Sequence, residues 1–357
     1  MASSLLSRAF VRSFGAINVP NHTKTFATKV SALSLASKKR KGRKISMVTA
    51  YDYPSAVHCA RAEIDIILVG DSVAMVELGY DTTQPVTVDQ MIHHCQSVKR
   101  GVEQSNANTT PLLVGDMPFG SYEFEDTDVA LRNAYKFVKE AGVDAVKMEG
   151  GSPARARTAK MVVDGGVAVM GHIGLTPQAI SVIGGFRAQG RTASRARALL
   201  DDAMRLQDAG AFSVVLECVP ANVAEAITET LEIPTIGIGA GGYTSGQVLV
   251  YHDMLGMLSH PHHEQFMPKF CKQYAEVGHA IQSGLQEFKA DVESGTFPSD
   301  KYSPYVMTEK ERMAFDALLK QDEDERKRKH DEAAVKMTAA DEYEQLSLYG
   351  QDNSSKK

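Results

Sequence analysis

Short apolar runs recur along this chain, separated by stretches whose apolar positions follow a helical period. The runs are Ile45–Ala50, Ile64–Val69, Pro111–Val114, Ala145–Met148, Val167–Met170, Ser213–Leu216, Thr235–Ile238 and Gln247–Tyr251. They are continuous rather than alternating, as in strands buried on both faces of a parallel sheet. Between them, Val88–Arg100, Asp128–Ala141, Arg195–Ala209 and Ala221–Leu231 are predicted helices. Ser152-Pro153 and Thr176-Pro177 each set a capping hydroxyl before a proline suited to a first helical turn. Gly142 and Gly210 follow helical stretches as stop signals. About eight strand–helix repeats close an α/β barrel of the (β/α)8 TIM type. An open, doubly wound sheet shares the alternation and is the competing fold.

Four of the runs lead into charge. Ile64–Val69 leads to Asp71-Ser72, Pro111–Val114 to Asp116, Ala145-Val146 to Lys147 and Glu149, and Ser213–Leu216 to Glu217. A charge at the end of a buried strand either reaches water or faces something that needs it. Repetition at the same end of successive strands predicts one acid-lined mouth at the C-terminal rim of the barrel. Lys147 and Glu149 are two apart, so on a strand they share a face. Two like charges about 4 Å apart repel by roughly 4 kcal/mol at an effective dielectric near 20. Such a set stays ionised only with a cation among it, and hard oxygen ligands suit magnesium. The plain alternative is a ring of salt-bridged barrel residues. His172, after the fifth run, belongs to the same rim with its role open between hydrogen bonding and catalysis.

The chain has 357 residues, 43% hydrophobic and 23% charged, with a formal net charge of -5. That balance gives no electrostatic case for nucleic acid, and no apolar run reaches the length of a membrane span. Cys59, Cys95, Cys218 and Cys271 form no CxxC pair, which argues against a disulfide framework or zinc knuckle. The first fifty residues hold no Asp or Glu, while Arg8, Arg12, Lys24 and Lys29 sit among Ser, Ala, Leu and Phe. Such a leader reads as a transit segment over residues 1–29, mitochondrial rather than plastid, with a cytosolic disordered arm as the bland alternative. The basic cluster Lys38–Lys41 reads as the solvated end of a helix that begins near Val30 and stops at Gly42.

The catalytic barrel is assigned to residues 30–305, with a long helical stretch from Phe266 to Val292 on its outside. Residues 306–357, rich in charges of both signs, are a helical or disordered tail without chemistry. Gly237–Gly242 formally matches GxGxxG, but it falls late in the chain rather than after a first strand, so a dinucleotide fold is rejected. His260-Pro-His-His263 has metal-binding residue types but reads as a surface turn.

Specific segments resemble the ketopantoate hydroxymethyltransferase family. They are Val69–Ser72, Leu78–Asp81, Pro85–Thr87, Asp116–Phe119, Val146–Gly150, Gly171–Gln178, Gln189-Gly190, Leu216–Pro220 and Ile236–Gly241, in order from about Lys44 to Tyr305. The resemblance implies a TIM-type barrel assembled as a homodecamer. It implies magnesium and 5,10-methylenetetrahydrofolate, used to hydroxymethylate 3-methyl-2-oxobutanoate to ketopantoate for pantothenate synthesis. By the same resemblance Asp71, Asp116 and Glu149 are magnesium ligands. Asp71, Ser72, Asp116 and Lys147 contact substrate, His172 lies near it, and Glu217 is the catalytic base. Gly242–Gly246 departs from the family pattern, which bears on folate contacts. Two rivals stand beside this reading: a magnesium-dependent carbon–carbon lyase or mutase of the phosphoenolpyruvate type, and a non-catalytic barrel.

Overall fold

All eight apolar runs become strands, and the strands close on themselves. They are β1 Ile45–Thr49, β2 Ile66–Val69, β3 Leu112–Asp116, β4 Ala145–Glu149, β5 Ala168–Gly174, β6 Ser213–Glu217, β7 Thr235–Ile238 and β8 Gly246–Leu249. In this computed structural model every neighbouring pair is parallel, and β8 pairs with both β7 and β1, which completes the barrel and removes the open-sheet alternative. Residues 28–123, 127–183, 185, 187–257 and 268–349 are described. Most of the 1–29 leader and the His260–His263 cluster lie outside them.

Two apolar layers explain why the runs are continuous. Side chains facing outward from the strands, such as Ile67, Val69, Leu113, Val146, Val169 and Val214, pack in the layer that holds the helices. Side chains facing inward, including Met47, Ile66, Leu68, Leu112, Val114, Ala145, Met170, Val215 and Ile236, fill the barrel itself. The helices start and stop on local chemistry. Ser152 accepts from the Arg155 amide to cap Pro153–Asp164, and Gly142 and Gly210 adopt left-handed φ values of 71° and 93°. Thr176 differs from expectation: its side chain makes no cap, and Pro177–Ala179 forms one 3-10 turn.

Helix α1, Ala32–Arg40, closes the lower end of the barrel. Ser31 caps it, and Leu35, fully buried, joins the interior cluster. Here the basic cluster departs from a solvated helix end. Lys39 Nζ donates to the carbonyls of Thr228, Leu231 and Ile233 at 2.8, 2.5 and 2.9 Å, and Lys38 pairs with Asp65. The reason is geometric: the helix Ala221–Thr230 and the turn before β7 end at this lower end of the barrel with carbonyls unpaired, and a cation satisfies them. Upstream, Thr28–Lys29 pairs in parallel with Thr109–Thr110.

Of the stretch expected to be helical from Phe266, residues 268–276 are not helical and Val277–Ser294 is. Before this helix, Tyr274 N donates to Met254 O at 2.7 Å, and in its first turn Gly278 N donates to Gly256 O at 2.9 Å, bonds that hold residues 274–278 against the turn at Gly256. The chain divides into two units, Met1–Ile281 and Gln282–Lys357. In the second, Glu309–Tyr349 is one helix of 41 residues, laced by i,i+4 pairs such as Glu323–Lys327 and Glu325–Lys329. No described helix is long and apolar enough to cross a membrane.

Candidate active site

Alternation along each strand carries the inward-facing positions from apolar to charged. On β3 the inward sequence is Leu112, Val114, Asp116; on β4 it is Ala145, Lys147, Glu149. On β5 it is Ala168, Met170, His172, and on β6 Ser213, Val215, Glu217. The strand period of two therefore stacks hydrophobic layers below and one polar layer above, at the C-terminal mouth. Asp71 joins from the turn after β2.

These side chains touch. Lys147 Nζ lies 2.8 Å from Asp116 Oδ2 and 3.9 Å from Glu149 Oε1. His172 bridges two acids, with Nδ1 3.1 Å from Glu149 Oε1 and Nε2 3.1 Å from Glu217 Oε2. Both contacts are within ion-pair reach, though neither is aligned as a hydrogen bond. The Asp71 backbone amide donates to Asp116 Oδ2 at 3.1 Å. Ser72 Oγ lies 2.8 Å from the hydroxyl of Tyr51, itself fully buried. Asp71, Asp116, Lys147, Glu149 and His172 are all buried, while Glu217 keeps part of its side chain in contact with solvent.

Burial shapes the charges. It pushes Asp116 up to about 7 against the pull of Lys147, and it raises Asp71 as well. Burial works against the Lys147 ammonium, but Asp116, Glu149 and Asp71 outweigh it and hold that pKa above its ordinary value. Burial and Lys147 both oppose a charge on His172, yet Glu149 and Glu217 prevail and lift it to about 9. Lys147 Nζ also lies 3.3 Å from His172 Nδ1, so two basic groups are packed among four acids, and a divalent cation suits such an excess of carboxylates. Asp116 Oδ1 is buried without a hydrogen-bond partner, an oxygen left over for such an ion. Among the described residues no three His, Cys, Asp or Glu groups form a ready-made cage. Magnesium needs none, since it takes one or two carboxylates and fills its remaining positions with water and substrate oxygens. The donor set fits it.

Asp71, Asp116, Lys147, Glu149, His172 and Glu217 meet in this mouth, and Ser72 follows Asp71 in the turn after β2. Two that sequence reasoning missed are Gln178 and Tyr122, both buried. Gln178 Nε2 donates to Asp71 Oδ2 at 2.8 Å, and the Tyr122 hydroxyl accepts from the Glu149 amide at 3.0 Å. Periodicity marks neither; the one available signal was the place of Gln178 at the end of the segment Gly171–Gln178.

Fold and site together define a (β/α)8-barrel enzyme whose C-terminal mouth holds acids around a buried lysine. The sequence model of the ketopantoate hydroxymethyltransferase family matches residues 29–300, and the chain belongs to that family. It is 56% identical over 277 residues to the mitochondrial 3-methyl-2-oxobutanoate hydroxymethyltransferase 1 of Oryza sativa subsp. japonica, covering 78% of this chain and 74% of the relative. It is 50% identical to the 3-methyl-2-oxobutanoate hydroxymethyltransferase of Heliobacterium modesticaldum, covering 78% and 96%. Among solved structures, phosphoenolpyruvate phosphomutase from Streptomyces platensis subsp. rosaceus has a TM-score of 0.48 at 14% identity, over 83% of this chain and 99% of that one. That likeness is too slight to argue from. Family membership displaces the lyase or mutase reading and the non-catalytic one.

Proposed function

We propose that this chain transfers a hydroxymethyl group from 5,10-methylenetetrahydrofolate to 3-methyl-2-oxobutanoate, giving ketopantoate for pantothenate synthesis. The observation that carries the reading is Glu217 standing 3.1 Å from His172 beside the buried group of Asp71, Asp116, Lys147 and Glu149. Asp71 and Asp116, with Glu149, would hold magnesium, which supplies Lewis-acid polarisation of the 2-oxo group.

The chain's own residues do the rest. Lys147 and Ser72 bind and orient the oxo acid. The rim carboxylate Glu217 takes the proton from C3 of the substrate, and His172 fixes the direction of that carboxylate. Charge then developing on the oxo oxygen meets a site already ordered to receive it, so no reorganisation is needed at that moment. C3 forms its new bond to the donated carbon, and water completes the hydroxymethyl group as tetrahydrofolate leaves. Support for the donor comes from a hollow of about 380 Å³ that includes Cys218, next in sequence to Glu217. Arg191 and Phe270 line it, a cation for an acidic tail and a ring for a flat heterocycle.

Assembly as a homodecamer belongs to the same reading. The exposed apolar side chains of Leu285, Phe288 and Val292 support burial by self-association, which light scattering measures directly. The acid-free leader and the mitochondrial relative support a mitochondrial location.

The test is exchange of the C3 proton of 3-methyl-2-oxobutanoate in deuterated water, with and without magnesium and folate. Wild-type enzyme should exchange with magnesium present, and Glu217→Gln should slow this by about 10²–10⁴-fold. Undiminished exchange by Glu217→Gln would remove the base. Failure of the wild-type enzyme to form ketopantoate with folate would remove the reaction.

A further inference from the structure

We propose that Gln178 is the positioning residue of the carboxylate cluster, holding Asp71 and Glu149 in a fixed relation for a divalent cation under the orientation imposed by Tyr122. The inference rests on the magnesium reading above and extends it to a part of the site to which no role has been given.

Gln178 comes from the single 3-10 turn after β5, yet it reaches the ends of three other strands. Its Nε2 donates to Asp71 Oδ2 at 2.8 Å, beyond β2, and to the carbonyl of Met117 at 3.0 Å, one residue past Asp116 on β3. Its backbone amide donates to Glu149 Oε2 at 3.1 Å, at the end of β4. All the hydrogen-bonding capacity that a glutamine side chain can spend on donation is used, in a site 2% exposed.

The direction of the amide is fixed by logic as well as by contact. The Tyr122 hydroxyl oxygen accepts from the Glu149 amide at 3.0 Å, so its own proton is free to point elsewhere. It donates to Gln178 Oε1. With the oxygen thus committed to Tyr122, the NH2 group must face Asp71, and a flipped amide would set an oxygen against a carboxylate. Outside the site, Gln84 Nε2 donates to the Gln178 carbonyl at 2.9 Å, tying the turn to the segment after β2.

A buried glutamine that merely filled polar space would need no alignment of its amide on Asp71 and Met117. Its side chain occupies Asp71 Oδ2 and its backbone amide Glu149 Oε2, one oxygen of each carboxylate, so a change of side chain releases Asp71 and leaves the hold on Glu149. Partners of ligands act on metal affinity in this way, and their loss costs about 10–100-fold.

The experiment measures Mn2+ affinity by titration calorimetry on wild type, Gln178→Met, Tyr122→Phe and the double variant, with thermal melts of each. Gln178→Met, of similar shape but without donors, should melt within a few degrees of wild type and bind Mn2+ at least about tenfold more weakly. Tyr122→Phe should weaken binding in the same direction by less, and the double variant should fall short of the product of the two effects. A folded Gln178→Met with wild-type Mn2+ affinity would overturn the inference. Should that variant not fold, Tyr122→Phe with unchanged affinity would overturn it equally. Wild-type protein that binds no Mn2+ would instead remove the metal reading beneath it, a distinct result.

Discussion

His172 Nε2 and Glu217 Oε2 stand 3.1 Å apart across the neighbouring strands β5 and β6. The imidazole is the fixed member of the pair, buried and held on its other side by Lys147 Nζ at 3.3 Å and by Glu149, whereas the carboxylate reaches toward solvent. His172→Gln should therefore cut magnesium-dependent C3 proton exchange by about 10²-fold, because the base loses its director rather than its basic group. Exchange at the wild-type rate in that variant would show that Glu217 needs no such guide.

The barrel and most of this mouth were readable in advance for one physical reason. Strands buried on both faces are apolar throughout, so the run Pro111–Val114 or Thr235–Ile238 announces itself, and a charge such as Asp116 marks where the buried part ends. The pairing of Lys147 with Glu149 followed from the strand period alone. Gln178 and Tyr122 left no such mark, because one lies in a single 3-10 turn and the other in a loop, too short for any period to relate sequence position to direction. Lys39 was misread for a related reason: its partners are backbone carbonyls of Thr228, Leu231 and Ile233, which have no sequence signature. Residues 268–276 carry helical spacing without a helix, because the turn around Met254–Gly256 accepts from Tyr274 and Gly278.

Lys39 offers a test of the barrel floor. Lys39→Met keeps the length of the side chain but leaves three carbonyls without their donor. A hydrogen-bonded charge of this kind contributes about 1.5–3 kcal/mol, so denaturant titration should show a loss of about 2 kcal/mol with activity per folded molecule unchanged. An unaltered unfolding midpoint would mean that water replaces the ammonium at no cost.

The thiols give a pH dependence with a defined sign. Burial pushes Cys59 up to about 12 and Cys95 higher still, from an ordinary value of 9.0. Both stay protonated in the native state where the unfolded chain would ionise them. Their contribution to stability is thus whole below about pH 9 and is lost as pH rises toward about 12. Iodoacetamide at pH 8 should leave Cys59 and Cys95 unlabelled in the native protein and label both in denaturant, as peptide mass mapping would record. Rapid native labelling of either one would contradict its burial.

Helix α1 has a bearing on how the protein matures. Leu35 fills the floor of the barrel, and the strand Thr28–Lys29 ties the preceding residues to Thr109–Thr110. Were the leader removed by a protease, this plug would set the limit of the cut: one beyond Ser31 would strip the helix cap, and one beyond Leu35 would let water into the hydrocarbon floor. The fold thus needs its chain intact from Ser31 onward to keep the floor sealed.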